Sequence, residues 1–448
     1  MQVNLKVLAG PYRDRVFCFT QPDTFLIGRS NEAHLCLPDD RFFSRHHCLL
    51  EINPPHCFLR DLGSTNGTFV NGEKVSEAFL KSGAEIQGGE TVLLVEVDTG
   101  EGESAGGTTP PTRTRPTIVT VACLHCGRRE DAQASFAEEQ LTFLCEDCRV
   151  ELKKSPQPIP GYDTVKLLGQ GGMGCVMLGR SQTTGAAVAI KTLLPEFAVS
   201  DKHMRRFMRE IDVAASLKHP SIVQFLERGV HNGVVYLVTE YIDGADAARL
   251  ADSRGGRLPE KEVVEIILQA LDGLAFAHAQ GYIHRDIKDQ NILVKGTLPD
   301  LSAKLTDFGL AKSFAQSGMS GVTVAGEMAG TLAYMSPEQL KNFRDVKPQS
   351  DIYAIGMTAY SLLSGYLALD IKRSNNMAET IKAIFEQPPI PLTRRAPHVN
   401  KGICEIVDRA LVKDPTQRWQ SAKAMRNAIQ HVTYGSHLRA GASPPSSP

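Results

Sequence analysis

The stretch HRDIKDQN, residues 284–291, sets Asp286, Lys288 and Asn291 close together, and Asp307 follows sixteen residues after Asn291. A carboxylate at 286 can accept the proton of an attacking hydroxyl. Asn291 and Asp307 offer the hard oxygen ligands that Mg2+ takes. Lys191 closes the apolar run VAIK, where one cation can hold two phosphates. Glu210, nineteen residues on in the amphipathic run RRFMREIDVAASL, can pair with Lys191 and fix its position. Upstream, Gly169, Gly171 and Gly174 form G-x-G-x-x-G followed by Val176. Without side chains in the way, backbone amides there can close over phosphates. That pattern alone also fits a dinucleotide fold or a plain Gly-rich turn. The following TGAAVAIK reads as a strand rather than as a helix opening off the glycines, and no G-x-x-x-x-G-K-S/T occurs. Taken singly, Lys191 is an ordinary strand end, Asp286 and Asp307 are turn caps, and Glu210 is a solvated helix face. Their joint order along the chain is what points to phosphoryl transfer.

Two cysteine pairs suggest a second chemistry. CLHC at 123–126 and CEDC at 145–148 enclose eighteen residues, inside the spacing window for zinc. Cys123, Cys126, Cys145 and Cys148 can close a tetrahedron on two short turns. About thirty residues cannot fold on core burial alone, so the metal would supply the stability. Redox dithiols are the alternative, and His125 reads as a spacer. From Cys123 to Lys154 five cations (Arg128, Arg129, Arg149, Lys153, Lys154) face seven anions (Glu130, Asp131, Glu138, Glu139, Glu146, Asp147, Glu151). That balance argues against a nucleic-acid backbone as partner.

The elements that must position these groups follow from length and patterning. A chain of 448 residues suggests two or three domains, and its formal net charge of −1 gives no pull toward nucleic acid or acidic membrane. Residues 1–97 carry short alternating apolar runs such as QVNLKVL, HCLLEI and TVLLVEV, split by Gly, Pro and two Asn-Gly pairs. This predicts an all-β sandwich or barrel. Residues 98–120, rich in Gly, Thr and Pro, form a linker. The paired cysteines occupy 121–152, and 153–161 is a second linker. Residues 162–433 pass from a β-rich start to long amphipathic helices, an α+β domain, and 434–448 reads as a disordered tail. The charge-free segment 352–369 touches the lower limit for a membrane span, but its Gly, Tyr, Ser and Thr content fits a buried helix better. The opening residues lack a signal-peptide core, and Cys18, Cys36, Cys48, Cys57, Cys175 and Cys404 are scattered. Both features predict a cytoplasmic protein without a membrane anchor.

With these segments in order, and with VTEYIDG, LTDFGLAK, GTLAYMSPE, DIYAIG and DPTQRW at their places, residues 162–433 resemble the protein kinase family, a bilobal α+β fold. The resemblance implies that Gly169, Gln170, Gly171, Gly172, Met173, Gly174 and Val176 cover the phosphates of ATP. Ala189, Lys191, Glu210, Thr239 and Glu240 complete the nucleotide site. It also implies Asp286 as catalytic base, Lys288 on the γ-phosphate, and Asn291 and Asp307 on Mg2+. Glu338 and Arg418 are implied as a structural ion pair. Lys288 and Thr331 resemble Ser/Thr kinases, and GQGGMG and MSPEQL the bacterial branch. Arg285 beside Asp286 implies control by a phosphate on the loop between Asp307 and Glu338, with Thr323 the first candidate and Ser320 the second. One departure stands out. The family usually has Pro where this chain has Asp289, a residue that can hold the same turn through its own backbone hydrogen bond.

Likewise, FLIGRS, FFSRHHCLL and LGSTNGTFVNG resemble the forkhead-associated (FHA) domain. That implies recognition of phosphothreonine in an extended peptide. Arg29 gives a charge-assisted fork, Ser44 a hydroxyl donor, Arg45 a second cation and Asn66 a bond to the peptide backbone, with Thr65 at the rim. His47 and Gly28 would be structural, and Asn71-Gly72 only a hairpin turn. The whole is a multidomain chain of an FHA sandwich, a zinc ribbon and a kinase. The expected cofactors are ATP, Mg2+ and structural Zn2+. The expected partners are Ser/Thr protein substrates, phosphothreonine peptides from its own linker or other proteins, and a transient second copy for trans-autophosphorylation. The alternative is a pseudokinase scaffold that binds phosphopeptide and nucleotide without transfer.

Overall fold

The computed structural model describes residues 2–21, 23–31, 33–98, 118–122, 129–133, 159–171, 174–193, 211, 215–231, 234–308, 332–342, 346–371 and 377–435. Residues 2–98 fold as two stacked sheets. The six-stranded sheet orders as Val16–Phe19, Gln2–Ala9, Thr91–Asp98, Glu85–Gly88, Thr68–Val70 and Glu73–Val75. The five-stranded sheet orders as Leu35–Cys36, Asp23–Gly28, Cys48–Asn53, His56–Asp61 and Glu77–Leu80. In the first strand Val3, Leu5 and Val7 alternate inward, each fully buried, the period-two signature of a sheet with one face on a core. They meet Phe25, Ile27, Leu50, Ile52 and Leu59 of the opposite sheet.

The five-stranded sheet departs from simple alternation. Leu26 stands between Phe25 and Ile27, and Leu49 between Cys48 and Leu50, yet both are buried. Their side chains leave by the outer face and pack into the hydrophobic core of the C-terminal domain. Runs such as FLIG and CLLEI thus carry two apolar faces. Asn71-Gly72 turns Val70 back on Glu73 with φ of 50° and 85°, the left-handed pair that a two-residue hairpin needs.

Between the domains, Ile118–Ala122 pairs antiparallel with Arg129–Gln133, Ala122 opposite Arg129. All four paired cysteines lie outside the described residues, and among the described residues no cluster of His, Cys, Asp or Glu could hold a metal ion.

The C-terminal domain opens with a five-stranded antiparallel sheet ordered Tyr162–Gly171, Gly174–Ser181, Ala187–Leu193, Val234–Glu240, Phe225–His231. Helices then dominate: α1 (Ala247–Asp252), α2 (Glu260–Ala279), α3 (Pro337–Lys341), α4 (Pro348–Ser364), α5 (Met377–Glu386), α6 (Leu392–Arg395), α7 (Lys401–Ala410) and α8 (Ala422–Tyr434). In α2, Glu260 and Glu262 favour the N-terminal turn while Val263, Ile266, Ile267, Ala270, Leu271 and Leu274 bury one broad stripe. Helix α4 starts with Pro348 at its first turn and stops at Gly365, left-handed at φ 79°. Nearly every α4 side chain is buried. The charge-free segment is therefore the domain's central helix and the loop after it. Among the described residues no helix is long and apolar enough to cross a membrane.

Candidate active site

The cleft lies between the sheet and the helical lobe, with a volume of about 310 Å³. Val176, Ala189, Lys191, Leu237 and Thr239 line its roof. Register explains why these five share a face. Val176 pairs with Lys191, Lys191 with Leu237 and Ala189 with Thr239, and partners directly across a ladder point the same way. Gly169 lies at the mouth, opposite Val176. Gly172, Met173 and Glu210 lie outside the described residues, as do Thr323, Ser320 and Thr331.

Lys191 is therefore seen with another partner. Its Nζ donates to Asp307 Oδ1 at 2.8 Å. Burial pushes the Asp307 carboxyl up, but the Lys191 ammonium at contact, with Lys288 and His284 nearby, holds it below its usual range. Asp307 has φ 63°, a left-handed conformation that costs a non-glycine residue energy and persists where its surroundings fix it.

The catalytic candidate Asp286 is held from both sides. Asn291 Nδ2 donates to its backbone oxygen at 2.7 Å and to its Oδ2 at 2.9 Å. Lys288 Nζ stands 3.4 Å from the same Oδ2. With the Asn291 amide nitrogen used this way, its Oδ1 is the atom left for a cation. Asp307 supplies carboxylate oxygens across the cleft, so the donor set fits a hard divalent ion such as Mg2+.

Beneath the loop is an anchor to which the sequence reading assigned no role. Asp351, 1% exposed at the start of α4, accepts from the backbone N–H of His284 at 2.8 Å and of Arg285 at 2.9 Å. His278 Nε2 donates to it at 2.8 Å. Although burial opposes its charge, these bonds hold the Asp351 carboxyl below its usual range. Arg285 itself is left-handed, φ 69°, and Gln339 Nε2 donates to its carbonyl at 2.6 Å. The His284 ring bridges onward: Nε2 donates to Thr306 O at 2.9 Å, and Nδ1 accepts from Asp286 N at 3.3 Å. One carboxylate on a rigid helix thus fixes two strained segments, 284–286 and 306–307. The only sequence signal for it was an Asp opening the apolar run DIYAIG.

Asp289 does hold its own turn, its Oδ1 accepting from Gln290 N at 3.0 Å. It also does something unforeseen. Only 7% exposed, it accepts a hydrogen bond at 2.8 Å from the hydroxyl of buried Tyr334. Desolvation raises its carboxyl above the usual range despite that bond. The expected structural pair is present. Arg418, fully buried, grips Glu338 with Nη1–Oε1 of 2.6 Å and Nη2–Oε2 of 2.9 Å. Its remaining donors reach Gln349 O, Val412 O and Lys413 O.

A glycine-roofed cleft with a lysine–aspartate pair above an Asp–Lys–Asn loop is the arrangement of an enzyme that moves phosphoryl groups, and comparison with known families agrees. The protein kinase domain family matches residues 162–432. The chain belongs to the protein kinase family. Ser/Thr-protein kinase Pkn1 of Myxococcus xanthus is 33% identical over 337 residues, 71% of this chain and 46% of that protein. PknB of Mycobacterium tuberculosis H37Rv is 33% identical over 278 residues, 61% of this chain and 43% of that protein. The chain thus spans about half the length of the curated relatives it matches. A solved structure, the PknI kinase domain of M. tuberculosis, is 29% identical with TM-score 0.48, covering 62% of this chain and 99% of that one. The FHA domain family matches residues 25–89.

In the kinase's FHA domain the expected phosphate-site residues converge on one rim. Thr65 N donates to Ser44 Oγ at 3.0 Å, and Asn66 Nδ2 donates to Phe42 O at 2.8 Å, so two loops are tied together. Arg29 N donates to Ser44 O at 3.0 Å, which sets an exposed arginine next to that rim. His47, fully buried, accepts from Ser44 N through Nδ1 at 3.1 Å. At Gly28 a Cβ would stand 2.2 Å from the carbonyl oxygen of Arg45, so only glycine fits. Both are structural, as expected. Asp61 was overlooked. It accepts from Ser64 N at 2.9 Å and from Thr68 Oγ1 at 2.6 Å, shaping the loop that presents Thr65 and Asn66.

Proposed function

We propose that this chain is an active Ser/Thr protein kinase whose FHA domain reads phosphothreonine. The observation that carries the reading is the held Asp286, with Asn291 and Lys288 on its Oδ2 and with Lys191 and Asp307 paired nearby in the cleft. Asp286 accepts the proton of a substrate Ser or Thr hydroxyl as that oxygen bonds to the γ-phosphorus of ATP and the bond to the β-bridging oxygen breaks. Lys191 steadies the α- and β-phosphates, Lys288 the γ-phosphate, and Gly169–Val176 cover them, while Ala189, Thr239 and Glu240 border the adenine. Mg2+ held by Asn291 and Asp307 would screen the phosphate charge. In the docking domain, Arg29, Ser44 and Arg45 take the phosphate, and Asn66 and Thr65 the peptide.

The finer organisation belongs to the same proposal: FHA domain 1–97, linker 98–120, a four-cysteine zinc ribbon 121–152 on Cys123, Cys126, Cys145 and Cys148, linker 153–161, kinase 162–433 and tail 434–448. Free buried thiols at Cys48, Cys57, Cys175 and Cys404 fit a reducing compartment such as the cytoplasm. Autophosphorylation in a transient dimer would mark Thr323 or Ser320, and phosphates on Thr108, Thr109, Thr112, Thr114 or Thr117 would dock to Arg29 and Ser44. The test is phosphate incorporation into purified protein with ATP and Mg2+, sites mapped by mass spectrometry. Incorporation in wild type but not in Asp286→Asn supports the kinase. None in either, with nucleotide bound, replaces it by a scaffold. One zinc per chain, lost on Cys123→Ser with Cys145→Ser, supports the ribbon.

A further inference from the structure

The phosphate rim of the FHA domain and its contact with the kinase meet in one tripeptide, residues 44–46. Ser44 belongs to the rim, Arg45 touches both, and His46 is buried under the kinase at 4% exposure. Arg45 Nη2 donates to Glu386 Oε2 at 3.1 Å, His46 Nδ1 lies 3.2 Å from Glu386 Oε1, and the His46 ring stacks on Phe385 at 4.8 Å. Nearby, Thr24 Oγ1 donates to the backbone oxygen of Lys341 at 2.7 Å. Leu26, Leu49 and Leu62 fill the space beneath, joined to the kinase core. The tripeptide is stiff: Arg29 N and Ser30 N donate to Ser44 O and Arg45 O, both at 3.0 Å.

We propose that phosphothreonine binding and docking of the FHA sheet on α3 and α5 are energetically linked, with Glu386 and the phosphate competing for Arg45. This rests on the phosphothreonine reading above. A bound phosphate draws Arg45 away and places like charge beside Glu386, loosening the strip around His46. The docked face ends on α3, which follows directly from the segment carrying Tyr334 and Ser336. Rim occupancy is thereby felt next to the Tyr334–Asp289 hydrogen bond of the catalytic loop. The linkage is reciprocal, so docking weakens peptide affinity by the factor by which peptide weakens docking. Because Arg45 is 68% exposed, its ion pair is screened and sets a modest factor, about two- to five-fold.

The test uses the full chain and phosphothreonine peptides copied from residues 105–119, with unphosphorylated peptide as control. Affinity is read by fluorescence anisotropy and docking by hydrogen exchange of α3 and α5 amides. Glu386→Gln should tighten peptide about two- to five-fold, and Leu49→Asp, which charges the docked face, should tighten it at least as much. Saturating peptide should speed exchange at 377–386 in wild type. Equal affinities in all three proteins with unchanged exchange overturn the linkage while leaving phosphothreonine recognition intact. No binding to any of the three overturns both.

Discussion

The two regions of this chain proposed to meet phosphate are built in opposite ways. The catalytic loop is pinned from below: buried Asp351 holds the backbone of 284–285, and Asn291 and Lys288 hold Asp286. The FHA rim is laid on the surface, with Arg29 and Arg45 exposed and Ser44 tied by a few loop bonds. A transition state must find its charges already in place, since reorganisation during reaction costs rate. A binding site can complete itself on contact, and the phosphate supplies the order. Substitutions at the buried anchors of the first region should therefore damage both fold and rate, while those in the second should change affinity alone.

The largest effect is expected at Asp286. Asn there keeps the shape but cannot take the proton, so kcat should fall about 10²- to 10⁴-fold. Thermal stability should stay within about 0.5 kcal/mol, since the side chain is only partly buried. Steady-state kinetics and calorimetry on the same preparations check this. A variant whose rate persists would remove Asp286 from the chemistry.

Next comes the buried ion pair. Glu338→Ala leaves Arg418 charged inside the lobe, with one edge of its guanidinium deprived of acceptors. Removing one partner of such a pair costs about 3–5 kcal/mol, read as a lower denaturation midpoint. Glu338 is held below its usual carboxylate range by Arg418 despite burial. The stability it gives is whole above that range and is lost as pH falls through its depressed native value. The gap between wild type and Glu338→Ala should therefore close in acid.

Asp289 carries the opposite sign. Its native value is raised by desolvation, so the folded state holds the proton more tightly than the unfolded chain. Stability from this group falls as pH rises from the ordinary carboxylate value to the raised one. Asp289→Asn should therefore be neutral or stabilising near pH 7. Tyr334→Phe instead strips a donor from a buried carboxylate and should cost about 1–3 kcal/mol. Denaturation at pH 7 separates the two. If Asn destabilises as much as Phe, the Tyr334 hydrogen bond depends on the charge at Asp289, and desolvation does not decide the balance there.

The unequal construction also explains what could be read from the chain. Asp286, Asn291, Lys191 and Asp307 were legible because chemistry restricts their residue types and the chain spaces them in order. The sandwich was legible from period-two runs and Asn71-Gly72. Asp351 was not, because a residue whose work is to accept backbone N–H bonds from a loop 66 positions earlier leaves no local pattern. The outer-face leucines were read as parts of alternating strands. A second buried face appears only when the partner surface, α3, is in place. Tyr334 and Asp289 were 45 residues apart, so the departure at 289 showed without its partner.

An effect confined to affinity is the sharpest test of the comparison. Ser44→Ala removes the hydroxyl that meets Thr65 but nothing beneath it, since Ser44 is part-exposed and its backbone bonds to Arg29 and His47 survive. A hydrogen bond to a charged phosphate is worth about 1.5–3 kcal/mol, so phosphothreonine peptide should bind about 10- to 100-fold more weakly. The melting temperature and the kinase rate on a separate substrate should not move. Titration calorimetry with phosphorylated and plain peptide, beside a peptide-kinase assay, checks all three. A fall in stability matching the fall in affinity would mean that the rim, like the catalytic loop, is held together by the groups that bind. The surface-laid construction of the FHA site would then be wrong.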